Sequence, residues 1–396
     1  MNDLEYNSVE FDRTTKIQGM NELYDLENNS YVSCSFGLDS MVNSRLIDKA
    51  LPGNNIPRVY FNTGIEYKVM VDFVKEQAKK DPRIIIINSG VNIKKMLEEN
   101  GYPFKSKQHS HNWSCYNNNN NAIDEVIDNL NKHPELQRDY NYIHNLPKGI
   151  KTNIKYIFGI REKVEKVEIT DTPINENSKF SDEWGSKDYI TEFGKIETRN
   201  SVVERERENS IENSMAILTC PDKLRYQFTK EFKENGFKLS DKCCYKLKKE
   251  VALKYEQESG RTIAITGIRG EEGGMRGLNG CTIFNDGKLK KFHPLKVVSA
   301  EWEQEFIKRE KIELCPLYYP PFNFKRTGCV ACPYSLEIQE ELNNLYKFLP
   351  NEYYKAIRLW KPVYDEYIRL GYRLKYYPHE RGVQMSIEDF LKIKEL

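Results

Sequence analysis

The sequence predicts an α/β protein with a doubly wound parallel sheet, and two observations favour that class. Short runs of β-branched and aromatic residues alternate with amphipathic helical patterns over the first hundred or so residues. The first of these runs ends in a tight glycine-containing turn that opens directly into a helix. Strands that alternate with helices pair in parallel, because each helix crosses the sheet before the next strand begins.

Four segments have the pattern of buried strands. The first is SYVSCSF at residues 30–36, and a helical pattern opens at Asp39. RVYFN ends at Asn62 and precedes a second helical pattern, and RIIIIN covers residues 83–88. The fourth strand, TIAITG at residues 262–267, comes only after a long intervening segment. We therefore expect an insertion between the third and fourth strands.

The expected insertion covers residues 116–214. It contains five consecutive asparagines at 117–121 and a stretch dense in Glu, Lys, Asn and Arg at 163–214. This composition favours a flexible loop and a solvated arm, with a partner- or substrate-contacting lobe as the alternative for 163–214. The predicted divisions are an N-terminal extension at 1–27, the first part of the α/β domain at 28–115, the insertion, its remainder with the clustered cysteines at 215–335, and a helical region at 336–396.

Composition limits the class of protein. The 396 residues are 39% hydrophobic, and 60 basic side chains balance 59 acidic ones, so no global basic charge indicates nucleic-acid binding. No apolar run approaches the roughly 20 residues of a membrane span, and the N-terminus lacks a signal-peptide pattern, so we expect a cytoplasmic protein without membrane contact. In a reducing compartment, clustered cysteines indicate metal binding or catalysis more than disulfides.

The turn after the first strand has the residues of a phosphate-binding loop. In SFGLDS, a glycine and two serines lie where a parallel strand ends and a helix begins. Gly37 allows close approach of the backbone, the helix start attracts an anion, and Ser35 and Ser40 add hydroxyl donors. Asp39 is better suited to capping the helix or holding Mg²⁺ than to touching phosphate.

Two cysteine pairs could form one metal site. Cys243 and Cys244 are adjacent, whereas Cys329 and Cys332 form a CxxC turn between Gly328 and Pro333. Four thiolates in this pattern suit zinc or an iron-sulfur cluster. Adjacent cysteines are less usual for zinc, whose structural sites favour CxxC-type knuckles on both sides.

The chain resembles the ATP pyrophosphatases and phosphoadenylyl-sulfate reductases. SFGLDS is similar to their SGGxDS pyrophosphate loop, with Phe36 in place of the first glycine. NTGIEY at 62–67, GYPFKSK at 101–107 and GIRGEEGGMRG at 267–277 are similar to three further family elements in the same order. The resemblance implies a Rossmann-like, HUP-type fold that binds an adenine nucleotide. The nucleotide-binding residues it implies are Ser35, Phe36, Gly37, Asp39, Ser40, Thr63, Gly64, Glu66, Lys107, Gly267 and Arg269.

The cysteine spacing resembles one subgroup of that family. A CC pair followed about eighty residues later by CxxC is similar to the 4Fe-4S site of adenylyl-sulfate reductases, as is the HPL segment at 293–302 that precedes it. The resemblance implies a 4Fe-4S cluster on the four cysteines, with zinc as the alternative. The basic neighbours of the first pair would offset the cluster's negative charge or contact substrate phosphate; they are Lys242, Lys246, Lys248 and Lys249.

The C-terminal tail argues against an ordinary reductase. The family's reductases carry a nucleophilic cysteine in an ECGxH-like tail, but no cysteine follows Cys332 here. We therefore expect an enzyme that activates a substrate with ATP or transfers sulfur to an acceptor such as tRNA, DNA or a small molecule. Asp39, Arg269 and Arg276 would be its catalytic residues.

Two alternatives stay open. One is reduction of adenylyl- or phosphoadenylyl-sulfate by an external thiol or by Cys34, whose thiolate the anion-binding loop would stabilise. The other is a non-catalytic nucleotide-binding protein that acts with a protein partner in a modification or defence system.

Overall fold

The computed structural model describes residues 1–118, 188–190, 196–198, 222–271 and 280–381. The chain divides into two compact units, one formed by Met1–Glu99 with Lys242–Leu396 and the other by Asn100–Asp241. Most of the asparagine tract and of the charged 163–214 segment lies outside the described residues. The predicted domain boundaries therefore stay predictions.

The first unit is built on a six-stranded sheet. Its strands are β1 Ser30–Ser33, β2 Arg58–Asn62, β3 Ile84–Asn88, β6 Ile263–Ile265, β7 Thr282–Asn285 and β8 Lys288–Phe292. Their order is β3-β2-β1-β6-β8-β7, and all pairs are parallel except β7 with β8. The chain runs outward from β1 through β2 to β3 and then crosses to β6 on the other side of β1. Open α/β sheets bind ligands at such a switch point.

Helices surround this sheet. They are α1 Asp3–Tyr24, α2 Leu26–Asn29, α3 Leu38–Ala50, α4 Lys68–Lys80, α5 Ile93–Asn100, α9 Lys242–Cys244, α10 Glu250–Ser259, α11 Ala300–Glu310, α12 Ile338–Phe348 and α13 Pro350–Leu370. A π-helical turn, Tyr245–Lys249, joins α9 to α10. Such turns are rare and occur often at functional sites. The helices α12 and α13 form the helical C-terminal part that the sequence predicts.

Both faces of the sheet are covered. On one face, Tyr31 of β1 packs edge-on against Tyr255 of α10, with ring centroids 5.1 Å apart. Towards α4, Phe36 lies 5.8 Å from the ring of Tyr60 and 6.4 Å from that of Phe73. Apolar residues packed on both sides confirm the predicted doubly wound α/β fold.

The second unit contains α6 Lys107–Asn118, α7 Asp222–Arg225, α8 Lys230–Asn235 and the antiparallel pair β4 Asp188–Ile190 and β5 Ile196–Thr198. Tyr102 joins its two chain ends, because its amide donates to Lys238 O at 2.7 Å and its carbonyl accepts from Ser240 N at 2.9 Å. Inside it, His109 Nε2 lies 2.9 Å from Gln227 Oε1.

Two elements go beyond the sequence prediction. Residues 3–24 form one long helix, α1, which begins with a capping box between Asn2 and Glu5. Trp302 of α11 stacks on Tyr6 of α1 at 5.5 Å and holds this helix against the unit. Residues 282–292 form the β7–β8 hairpin, and none of the four predicted strands includes them. Within the described part of the chain, no helix is long and apolar enough to cross a membrane.

Candidate nucleotide and cysteine site

The turn between β1 and α3 brings the predicted phosphate-binding residues together. Ser40 Oγ donates to Gly37 O at 2.9 Å and lies 3.3 Å from Ser35 Oγ. The amide of Leu38, the first residue of α3, donates to Tyr318 Oη at 3.0 Å. The two serines thus converge at the N-terminus of a thirteen-residue helix, where amide groups attract anions.

Phe36 occupies an unusual backbone conformation in this loop. Its φ of +56° lies in the left-handed region, which costs a residue other than glycine about 1 to 2 kcal/mol. Its ring is buried against Tyr60 and Phe73, and this burial offsets the backbone cost. Replacement of the family's first glycine by phenylalanine is therefore compatible with the loop conformation.

The loop after β6 packs directly on the phosphate loop. A Cβ atom on Gly267 would lie 2.6 Å from the carbonyl oxygen of Asp39, so only glycine permits this approach. Arg269 Nε donates to Asp39 Oδ1 at 2.7 Å and lies 3.2 Å from Glu303 Oε2. The same guanidinium contacts Glu271 at 3.0 Å. Arg269 is thus held by three carboxylates next to the phosphate loop, and its phosphate-binding role stays a prediction.

Arg276 and Lys107 are the remaining residues with a predicted catalytic or nucleotide-binding role. Arg276 lies outside the described residues. Lys107 is exposed at the start of α6, in the second unit. Their predicted roles stay predictions.

The loop after β2, here the TGIE loop (residues 62–67), is organised around one buried carboxylate. Glu66 Oε2 accepts hydrogen bonds from the amides of Thr63 at 2.9 Å and Gly64 at 3.1 Å. Gly64 has a φ of +84°, which glycine adopts without steric cost. Glu66 also pairs with Cys329 in an isolated antiparallel bridge, so the TGIE loop touches the CxxC turn (residues 329–332) directly.

The four predicted metal-binding cysteines interact electrostatically. Burial raises the pKa of the Cys329 thiol to about 11, an effect that Lys248 opposes and that Glu66 and Cys244 increase. Burial also raises the pKa of Cys332 well above its usual value, and the other three cysteines raise it further. Buried thiolates need cationic partners. A metal centre bound by these residues would deprotonate the thiols, because the thiolate is the form that binds metal.

The described residues do not themselves assemble a metal site. Among them, no group of three or more His, Cys, Asp or Glu side chains is arranged to hold a metal ion. Four thiolates of this kind suit either tetrahedral zinc or an iron-sulfur cluster. The metal-binding role of the four cysteines therefore stays a prediction.

A cavity of about 330 Å³ connects these elements at the carboxyl end of the sheet. The phosphate loop contributes Ser35, the TGIE loop contributes Glu66, and the π-helical turn contributes Lys248. Gly328, next to Cys329, lies on the same wall. This volume is within the range of small-molecule pockets, so one ligand could contact the phosphate loop and the vicinity of the cysteines together.

Several cavity residues were missed by the sequence analysis. Tyr60 lines the cavity, and its buried hydroxyl has no hydrogen-bond partner among the described residues. Thr266, also on the wall, hydrogen-bonds His293 Nδ1 at 2.6 Å. Tyr318 and Thr327, whose hydroxyls lie 2.9 Å apart, come from a segment remote in sequence from the phosphate loop. No local pattern marks any of these residues, because folding alone brings them together.

Cys34 differs from the expectation of a stabilised thiolate. The residue is buried, and burial raises the pKa of its thiol despite weak hydrogen bonds from neighbouring groups. The neutral thiol is therefore favoured at this position. Cys34 nevertheless lies on the wall of the cavity, so its attacking role stays a prediction.

The fold and the cavity define a nucleotide-binding α/β protein, and sequence comparison gives its family. The profile of the family described as "Phosphoadenosine phosphosulfate reductase domain" matches residues 29–145 and 191–335. This is more than half of the 396 residues. The chain belongs to this family, as its motifs predict, and the family's members act on nucleotides or sulfonucleotides.

Two individual proteins are also similar. An uncharacterized protein of Methanocaldococcus jannaschii, MJ0973, is 36% identical over 73 residues, which are 18% of this chain and only 17% of that protein. The crystal structure of phosphoadenylyl-sulfate reductase from Candida auris, in complex with phosphate, aligns over 83% of this chain and 96% of its own, at 12% identity and a TM-score of 0.34.

Proposed function

We propose that the chain is a PP-loop enzyme that activates a substrate with ATP, transfers sulfur to it, or does both, with a 4Fe-4S cluster on Cys243, Cys244, Cys329 and Cys332. The observation that carries the proposal is the shared cavity, whose wall includes Ser35 of the phosphate loop and Gly328 beside the CxxC turn. A nucleotide activated at the loop would lie next to the cysteines.

The residues of the phosphate loop suit adenylation. An acceptor nucleophile would form a bond to the α-phosphorus of ATP while the bond to pyrophosphate breaks. Ser35, Ser40 and the start of α3 would hold the pyrophosphate, and Asp39 would hold Mg²⁺. The phosphates would compete with Asp39 for Arg269, which would then stabilise the charge of the leaving group.

The cysteine pattern favours a cluster over zinc, because adjacent cysteines such as Cys243 and Cys244 are unusual in structural zinc sites. Cys243, Cys244 and Cys329 each raise the pKa of the Cys332 thiol, which supports a common site for the four. Lys248, 3.9 Å from Glu66, adds positive charge beside these thiols. When bound, such a cluster would position or relay sulfur beside the activated substrate.

Pyrophosphate release tests the activation step. The anaerobically purified protein would be incubated with ATP and candidate tRNA, DNA or small-molecule acceptors. We expect Asp39→Asn and Ser40→Ala to lower the rate at least about tenfold, because they remove a metal ligand and a phosphate donor. Asp72→Asn is a matched control, since Asp72 is exposed on α4 and its ion-pair partner among the described residues is Lys68. Equal rates in all four proteins would overturn the proposal.

Metal analysis tests the cluster. We expect brown protein that contains iron and sulfide and loses its absorbance near 400 nm in Cys329→Ala, while Cys281→Ala, outside the four-cysteine group, keeps it. A colourless protein with one zinc per chain would contradict the cluster.

Family membership favours a second candidate, the reduction of adenylyl- or phosphoadenylyl-sulfate by an external thiol. Release of sulfite from either sulfonucleotide, without pyrophosphate from ATP, would select it. Tight nucleotide binding with neither product, together with a co-purifying protein, would instead select the non-catalytic partner protein.

A further inference from the structure

The TGIE loop and the CxxC turn are joined at several points. The amide of Val330 donates to Ile65 O at 2.7 Å, next to the bridge between Glu66 and Cys329. A shift of either loop must therefore be accommodated by the other.

The Glu341 carboxylate of α12 accepts hydrogen bonds from both the TGIE loop and the CxxC turn. Tyr67 Oη, at the end of the TGIE loop, donates to Glu341 Oε1. The amide of Ala331, between the two CxxC cysteines, donates to the same oxygen at 3.0 Å. Ala331 has a φ of +44°, in the left-handed region that alanine rarely adopts, so this turn needs external support.

The helix α13 also hydrogen-bonds the backbone of the CxxC turn and of the residue that follows it. Trp360 Nε1 donates to Val330 O at 3.1 Å, and Tyr367 Oη donates to Pro333 O at 2.8 Å. At the other loop, Glu352 Oε1 accepts from Lys68 N, the first amide of α4, at 3.0 Å. The helices α12 and α13 thus hold the CxxC turn and the end of the TGIE loop in one arrangement.

We propose that Glu341 is a positioning residue that couples nucleotide binding at the TGIE loop to the conformation of the CxxC turn. This inference rests on the proposed nucleotide site. A nucleotide that fixes Thr63 to Glu66 also fixes Tyr67 and, through the shared Glu341 oxygen, the amide of Ala331. By reciprocity, a change of state at the cysteines alters nucleotide affinity by the same factor.

The coupling is measurable without any metal. The full-length chain, treated with a chelator, would be alkylated with iodoacetamide, and the labelling rates of Cys329 and Cys332 followed by mass spectrometry with and without saturating ATP. We expect ATP to slow this labelling at least about fivefold in the wild type, the lower end of usual coupling strengths. Labelling of Cys281 serves as the internal reference.

Three variants locate the coupling. Glu341→Gln keeps the size of the side chain but weakens both bonds, and Tyr67→Phe removes one of them while its ring stays packed, so in both the ATP effect should fall below about twofold. Glu340→Gln, at an exposed neighbour on the same helix, should keep the full effect. If Glu341→Gln fails to fold by circular dichroism, Tyr67→Phe decides.

Two results overturn the inference alone: ATP that binds the wild type without slowing the labelling, or a full ATP effect in the folded Glu341→Gln or Tyr67→Phe variant. A wild type that binds no ATP at all by calorimetry contradicts the proposed function itself, and the inference with it.

Discussion

The phosphate loop and the CxxC turn border one cavity but are held in place differently. The internal hydrogen bonds of the phosphate loop join residues at most five apart, such as Ser40 to Gly37. The CxxC turn is fixed from outside by Trp360 and Tyr364, which lie 30 and 33 residues further along the chain. The conformation of the phosphate loop therefore depends largely on a short sequence motif. The CxxC turn depends instead on α13, which carries no recognisable sequence motif.

Trp360→Ala should give the largest effect, because it removes the support of the CxxC turn. Trp360 is fully buried, and truncation should lower the free energy of unfolding by about 3 to 5 kcal/mol. Tyr354→Ala, an exposed aromatic of the same helix, should cost less than about 1 kcal/mol. Urea denaturation of the three proteins checks this, and equal midpoints would show that α13 does not support the turn.

His293, which hydrogen-bonds Thr266 of the cavity wall, should make the free energy of unfolding depend on pH. Burial, with Lys291 and Lys296 adding to it, lowers the pKa of His293 from 6.5 to about 4. Between these values the unfolded chain binds a proton that the folded chain does not. Stability from this group is complete above pH 6.5 and is lost as pH falls towards 4, by up to about 3 kcal/mol.

His293→Gln should remove that part of the pH dependence. The measurement is the free energy of unfolding from pH 4 to 7 for both proteins. Parallel curves for wild type and variant would rule out the neutral buried imidazole.

Gly267→Ala tests the contact between the loop after β6 and the phosphate loop. The new Cβ would meet the carbonyl oxygen of Asp39 at 2.6 Å, so the backbone must shift. We expect a loss of about 1 to 3 kcal/mol in unfolding free energy, together with weaker ATP binding. Gly19→Ala in α1 is the matched control, since it lies outside the cavity and, apart from its own helix, no described atom lies within 4 Å of the position its Cβ would occupy. An unchanged Gly267→Ala variant would contradict the close approach.

The smallest expected effects come from removing one tyrosine hydroxyl at the CxxC turn and one at the phosphate loop. Tyr364 Oη donates to the buried carbonyl of Ala331, whereas Tyr318 Oη accepts from the half-buried amide of Leu38. Tyr364→Phe should cost about 1 to 3 kcal/mol, and Tyr318→Phe about 0.5 to 1.5, because water can replace the second hydroxyl more readily. Thermal unfolding of both variants measures the difference, and the reverse order would break the comparison.

The sequence predicts the parts of this molecule that depend on neighbouring residues. The parallel strands β1, β2, β3 and β6 and the position of the phosphate loop follow from alternation and from SFGLDS, because strand ends and helix starts are local features. The cysteine pairs stand out by their spacing, and their metal-binding role stays a prediction.

The other contacts at the site could not be predicted from the sequence, because they form only in the folded chain. Glu341, Tyr318 and Trp360 have no distinguishing pattern in sequence, and their roles arise only when distant helices and loops meet. Arg269 is a further residue whose contacts could not be predicted from the sequence. Its motif suggested a phosphate ligand, but its present partners, Asp39, Glu271 and Glu303, lie 230, 2 and 34 positions away in the chain.

The central claim is that the turn after β1 binds a nucleotide, and calorimetric titration of the full-length chain with ATP tests it most directly. We expect saturable binding in the wild type, affinity at least about tenfold lower in the Ser35→Ala/Ser40→Ala double variant, and wild-type affinity in Ser44→Ala, on the same helix but outside the loop. No binding to the wild type, or equal affinity in the double variant, would contradict the account.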